Sequence, residues 1–452
     1  MRVPAPAPPS PVIAAEPPAC AATPLAQIAC NGTPALTPAE VEAVVRAAAR
    51  AVSDDTMTIA VVDRAGRPLA IYRKPAANPA NDDAAIGVAR TAAFFSHDMA
   101  PLSSRTVRFL SGVHFPPGIT NTPSAALYGI ENTNRGCDFN VTFNAGKCIP
   151  RARRFGGARC DPFDTSGCGP GIVTGKQLPN DGNPESVNAG GIPLYRAIAN
   201  PPRVENGHLV GAIGIAGVSG DSQRAEYAAV SGAFGAIAGG IVPVPFFPLP
   251  HPGNVFIDGI RLPFLGRDIR LVFAPNGLPN GVRLDGVTAG SDNGAFVLAP
   301  QFGGCAEDGY LVGPNGGTIL TAADVDRIVQ RAIATAKRTR AAIRLPLDRY
   351  TRMVIAVADV DGTLLALHRM PDATVFSVDV AVAKSRNVVY FSANGIGSAL
   401  PANHAVTNRT IAFGAQPFFP SGIDSGVLDP REGPWYQSLF LFDLANSCTQ
   451  GA

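Results

Sequence analysis

Several things are scarce in this 452-residue sequence, and each scarcity closes a class of function. Charged residues make up only 16% of the chain and the net charge is +2, with no basic run longer than Arg151 to Arg154. Neither nucleic acid nor an anionic membrane is therefore demanded as a partner. No run of eighteen apolar residues escapes interruption by Gly, Pro or charge, even from Ile213 to Pro250, so no membrane span is expected. The first 35 residues are rich in Pro and Ala and lack both a basic and an apolar region of signal-peptide type; they read as a disordered lead or a mature N-terminus. There is no CxxC pair and no CxxCH haem-attachment motif, and no His falls among the four cysteines between Cys137 and Cys168.

What is abundant points to a globular protein with long loops. Apolar residues reach 46%, and 48 Gly and 42 Pro punctuate them. The length allows two or three domains. The eight cysteines (Cys20, Cys30, Cys137, Cys148, Cys160, Cys168, Cys305, Cys448) are even in number and lie in loop-like sequence, which favours disulfides and an oxidising compartment, periplasmic or secreted. Free thiols and a metal site stand as the alternatives.

Self-comparison finds a repeat. Ile59 to Pro75 aligns without gaps on Ile355 to Pro371, sharing the skeleton IAVxDxxGxxLAxxRxP. At the same offset Arg90, Phe95 and Ser96 fall on Arg386, Phe391 and Ser392. Arg105 to Phe109 matches Arg409 to Phe413, and Phe115 to Ile119 matches Phe419 to Ile423. Upstream, Leu36 to Val41 matches Leu320 to Val325.

Each block has a physical reading. Thr37 and Thr321, each followed three residues later by an acid, are capping boxes that open amphipathic helices. Ile59 to Tyr72 and Val354 to Leu367 are hairpins, turning at Asp63 to Gly66 and at its counterpart. The Ala- and Val-rich stretches Asp83 to Phe95 and Val378 to Phe391 have helical spacing. The first copy continues with strands at Gly190 to Leu194 and Leu209 to Gly217 and a helix from Asp221 to about Ala238; the second has no obvious counterpart after Ile423. The expected organisation is a lead (1–35), a first module (36–238) with a Cys-rich insertion at about 125–188, a β-rich Pro/Gly connector (239–315), and a second, incomplete module with its tail (316–452).

In series, the LTxAEV block, IAVVDxxG, Ala89-Arg90-Thr91-Ala92, GGIPL and VGAIGIAG resemble the GlcG/HbpS-like family, also called haem-degrading or DUF336-like. The resemblance implies an α/β module of α+β layered type, an antiparallel sheet flanked by helices, here in tandem. It also implies self-association into a homo-oligomer and haem or a related small molecule as ligand. Some members ligate haem through a His on the first helix, whereas Leu36 to Val52 here contains none.

Four of the six histidines lie near the shared motifs, His97, His114, His368 and His404, and imidazole is a common ligand to haem iron. Against that, a lone His at a loop edge is ordinarily solvated or caps a turn. Arg73 and Arg369, and Arg105 and Arg409, recur at equivalent positions where a guanidinium could clamp a propionate or another carboxylate; pairing with Asp63 and Asp359 is the structural alternative. Asp359-Val-Asp361-Gly-Thr363 has the form of a haloacid-dehalogenase nucleophile loop, but the first copy reads Asp63-Arg-Ala-Gly66 at that place, and a tight turn explains the shared Asp and Gly. The glycines at 211, 214 and 217 lack dinucleotide-binding spacing and read as close strand-to-helix packing. Three functions therefore stand: a binding protein for haem or a related small ligand, an enzyme acting on haem or a small organic acid, and a non-catalytic extracellular interaction protein.

Overall fold

The computed structural model describes residues 29–30, 33–98, 100–112, 189–196, 207–218, 222–237, 240–244, 256–257, 260–275, 279–341, 350–360, 362–392 and 403–414. The Cys-rich insertion and the Phe115 and Phe419 blocks lie outside them, as does most of the N-terminal lead.

Two short strands, β1 (Ala29–Cys30) and β2 (Thr33–Pro34), form a small hairpin ahead of α1 (Pro38–Ala51). The capping box is present: Glu40 N donates to Thr37 Oγ1, and Thr37 N donates to the Glu40 carboxylate at 2.8 Å. Strands β3 (Thr58–Asp63) and β4 (Pro68–Arg73) form the expected hairpin, turning through Gly66 at φ 82. Helices α2 (Asn81–Phe95) and α3 (Ser104–Gly112) follow, then β5 (Gly191–Arg196), β6 (His208–Ala216), α4 (Ser222–Gly235) and β7 (Ile241–Val242).

Alternation along β3 explains the layering. Ile59 and Val61 face one side, packed with Val44, Val45, Ala48, Ala229 and Ala233 of α1 and α4. Ala60 and Val62 face the other, packed with Ile86, Ala89 and Phe94 of α2. Successive strand residues point to opposite faces, so a strand buried on both sides is apolar throughout.

Residues 239–315 add β8 (Phe256–Ile257), β9 (Ile260–Arg261), β10 (Arg270–Phe273), β11 (Pro279–Arg283), β12 (Ala295–Leu298) and β13 (Gly309–Val312). The second copy comprises α5 (Ala322–Ala336), β14 (Val354–Ala358), β15 (Leu364–Arg369), α6 (Ser377–Phe391) and α7 (Asn408–Gly414). The first sheet has the order β12-β4-β3-β6-β5-β7 and the second β13-β15-β14. Every pairing within them is antiparallel. Strands β12 and β13 play the same part: Ala295 and Phe296 pair with Arg73 and Tyr72, while Gly309 and Tyr310 pair with the equivalent Arg369 and His368. The segment between the copies thus gives one edge strand to each.

The second copy repeats the layering at half width. Ile355 and Val357 pack with Val325 and Val329 of α5, and Val354 and Ala356 with Val378 and Val382 of α6. The fold is a tandem of α/β modules, antiparallel sheets flanked by helices, with the second copy narrower among the described residues.

Candidate functional site

The recurring arginines are held by the fold. Arg73 makes a two-pronged ion pair with Asp82 of α2, at 2.8 and 2.6 Å. Buried Arg105 does the same with buried Glu226 of α4, at 2.6 and 2.9 Å. Arg369, also buried, donates to the carbonyls of Ala373, Ala306 and Glu307; burial lowers its guanidinium to about 9, so it stays charged at neutral pH. Arg409 is exposed on α7.

The two repeated aspartates anchor turns rather than standing open as nucleophiles. Asp63 is fully buried and accepts from the backbone N–H groups of Ala65, Arg67 and Gly304 and from Arg67 Nε, at 2.8 to 2.9 Å. Asp359 accepts from Thr318 N and Oγ1 and from Val360 N. The Thr318 amide leads in holding its carboxyl below the usual value. Asp63 thus pairs with Arg67, four residues on, while Arg73 turns to Asp82.

The histidines differ sharply in setting. His114 lies outside the described residues. His404 is exposed. His97 is 1% exposed and follows α2, where its carbonyl accepts from Tyr195 Oη at 2.9 Å. His368 is half-buried in the centre of β15, opposite Ile355 on one side and Tyr310 on the other. The Tyr310 ring meets it edge-on at 5.0 Å and 86°, and Tyr310 Oη donates to Asp326 Oδ1 at 2.6 Å. His368 Nδ1 is buried with no hydrogen-bond partner, and burial pushes the imidazole below its ordinary value. A neutral ring with an unpartnered nitrogen against the apolar sheet face is chemically a ligand for a soft or borderline metal centre. In the first copy Tyr72 occupies this register and is used structurally, its Oη accepting from Gly294 N at 2.7 Å.

A polar cluster at the junction of the copies is not legible in the sequence, because its members come from four separate stretches. Asp98 accepts from His208 Nδ1 at 2.7 Å and from Leu209 N at 2.8 Å, while its own N–H donates to Asp372 Oδ1 of the second copy at 3.0 Å. Asp98 raises the His208 imidazole above its ordinary value. Arg64 donates to the carbonyls of Ala93 and Ser96 at the end of α2. Beside this cluster Phe376 stacks on Phe95, centroids 4.0 Å apart at 10°, and Val375 N donates to Phe94 O. Asp372, with φ 60, is the one signal a sequence could carry, a turn position tolerant of Asp. These groups satisfy one another, which describes a clasp between the copies.

Among the described residues no group of three or more His, Cys, Asp or Glu is placed to hold a metal ion, and no helix is long and apolar enough to cross a membrane. Cys305 is disulfide-bonded.

Comparison with known proteins gives two findings. A family described as "Haem degrading protein HbpS-like" matches residues 36–157 and 320–414. The crystal structure of Klebsiella pneumoniae protein ORFY, of the DUF336 family, is similar at 18% identity, covering 48% of this chain and 97% of that one with a TM-score of 0.24. No curated protein matches.

Proposed function

The chain belongs to the HbpS-like family as two copies in tandem, and from that premise we propose that it binds haem or a related small ligand through the second copy, with His368 as the iron ligand. The observation that carries this reading is the buried, unpartnered Nδ1 of His368. Leaving such an atom unpaired costs about 1–3 kcal/mol, a cost that a bound ligand would remove. The surroundings are apolar: Ile355 and Tyr310 flank the imidazole, and Leu320, Val325, Val329 and Val357 continue the same cluster. Bound haem would supply a redox-active iron; this chain's part is to hold it through a neutral imidazole and to shield it with aliphatic side chains. The lowered His368 value keeps the imidazole deprotonated at neutral pH, as iron ligation requires.

The disulfide at Cys305 supports an oxidising compartment, periplasmic or secreted. The carboxylate-clamp chemistry of an organic-acid enzyme draws less support, since Arg73 and Arg105 commit their forks to Asp82 and Glu226.

Haemin titration of the full chain, followed by the Soret band, tests the reading. A saturable, shifted band is expected, weakened at least about tenfold in His368→Ala and unchanged in His404→Ala and His97→Ala. Absence of saturation in the parent, or an unaltered titration in His368→Ala, would overturn it.

A further inference from the structure

The two copies share an aromatic frame that the second puts to a different use. In each, the penultimate residue of the second hairpin strand faces an aromatic residue on the edge strand that the inter-copy segment supplies. In the first copy the rings of Tyr72 and Phe296 meet edge-on, centroids 5.1 Å apart at 69°. In the second, His368 and Tyr310 stand at the same register and meet at 5.0 Å and 86°. The helices beside the frame correspond as well, since repeat spacing carries Glu42 and Arg46 of α1 onto Asp326 and Gln330 of α5.

What differs is the place of the hydroxyl. In the first copy the hairpin strand carries it: Tyr72 Oη accepts from Gly294 N. The Phe296 ring there is covered by the Arg46 guanidinium, 5.6 Å from its centroid, and Glu42 holds that arginine at 2.7 Å. In the second copy the hydroxyl has moved to the edge strand. Tyr310 Oη donates to Asp326 Oδ1 at 2.6 Å, and Gln330 Nε2 donates to the same oxygen at 3.3 Å. The phenol leads in holding the Asp326 carboxyl below its usual value, so the acceptor is ionised at neutral pH. Hydrogen bonds to a charged acceptor are among the stronger ones. Tyr310 is therefore fixed at both ends, by strand pairing at its backbone and by α5 at its hydroxyl, while the imidazole it faces has no hydrogen bond at Nδ1.

An imidazole without a hydrogen bond at Nδ1 turns about its last torsion between two orientations that exchange the places of ring nitrogens and carbons, and packing chooses between them. An aromatic edge set against the ring face has a preferred geometry and can make that choice. We propose that Tyr310 is the positioning residue of the ligand site, its tethered ring holding the His368 imidazole in one orientation so that Nδ1 keeps a single direction. Asp326 acts one step further back, through Tyr310. The proposal rests on the reading of His368 as the ligand-binding group and adds to it the residues that aim that group. In the first copy the same frame has no imidazole to aim, because Tyr72 stands there with its hydroxyl bonded to Gly294 N. The segment between the copies thus gives the second one a functional side chain along with its edge strand.

Two readouts on the full chain test the positioning role. The imidazole nitrogen resonances of His368, assigned by their loss in His368→Gln, are recorded without ligand. One set is expected in the parent, and two sets or exchange broadening in Tyr310→Leu. Haemin titration of the same variant is expected to show affinity lowered about two- to tenfold, the range that an edge-to-face contact is worth. Asp326→Ala, at a half-buried position where alanine suits the helix, is expected to give a smaller change of the same kind, and it carries the test if Tyr310→Leu does not fold. Phe296→Leu removes the equivalent ring of the first copy and is expected to leave both readouts unchanged, which separates positioning from a general loosening of the sheets. An unaltered His368 spectrum in Tyr310→Leu and Asp326→Ala overturns the proposal, as does an equal change in Phe296→Leu. A parent that does not bind haemin overturns the ligand reading instead, and the unliganded spectra still decide whether Tyr310 holds the ring.

Discussion

Glu226 shows how a single residue can hold a module together. Its carboxylate, 0% exposed, accepts from Arg105 Nε and Nη2 and from Gly266 N, tying α3, α4 and the loop before β10 to one point. Desolvating two charges is costly, and the pair is stable only while both partners stay. Glu226→Ala strands a buried guanidinium and is expected to cost about 3–5 kcal/mol, read as a fall in denaturant midpoint at constant slope. A loss under about 1 kcal/mol would show that water reaches Arg105. At this scale the sequence was partly legible. The recurrence of Arg105 and Arg409 marks a constrained site, but Glu226 lies 121 positions away from Arg105 and no spacing rule connects them. Arg73 differs in kind: the pattern offers Asp63, yet the hairpin turn engages Asp63 locally and Asp82 at the start of α2 faces the arginine.

At the scale of elements, the repeat blocks and the elements coincide closely, because hydrophobic period and end signals are local. Both capping boxes form, both hairpins form, and α2 and α6 occupy equivalent residues. Of the glycines at 211, 214 and 217, Gly214 packs against a helix as the sequence suggests, whereas a Cβ on Gly211 would meet Val62 O of the neighbouring strand at 2.2 Å. A Cβ on Gly214 would stand 2.0 Å from Ala85 O and 2.7 Å from Ala89 N, backbone atoms that cannot swing aside. Gly214→Ala is therefore expected to push α2 off the sheet and cost at least about 2 kcal/mol, whereas Gly281→Ala, with nothing within 4 Å, should stay within about 0.5 kcal/mol. Equal melting temperatures for the two variants would disprove the close-packing argument. The edge strands β12 and β13 escape sequence reading: each is four residues, in a stretch of turns, and what makes them strands is an open sheet edge far away in the chain.

For the molecule as a whole, the clasp between copies gives a pH dependence with a definite sign. The Asp98 hydrogen bond raises the folded-state value of His208 above its ordinary 6.5. A group so raised contributes in full below the unfolded value, and its contribution fades as pH rises through the folded one. The stability lost in His208→Gln should therefore be largest near about pH 5.5 and shrink towards about pH 9. A difference that grows with pH would mean that Asp98 does not hold the protonated ring. Because Phe95, Phe376, Asp98 and Asp372 sit at the same junction, the variant should also loosen the coupling between copies, seen as a broadened or split thermal transition.

Sequence alone determined the repeat, the layered α/β class, both hairpins and the helices before and after them, though not α3 or α7, since capping boxes, turn glycines and apolar periods act over a few residues. The tertiary structure decided which edges the inter-copy strands complete and which acid each arginine meets. It also decided that His368 lies with an unpartnered nitrogen under α5 while His97 is enclosed and His404 faces solvent. Those outcomes depend on side chains brought together from distant parts of the chain, where burial sets the cost of every unpaired polar group, and burial is a property of the packed layers rather than of any local pattern.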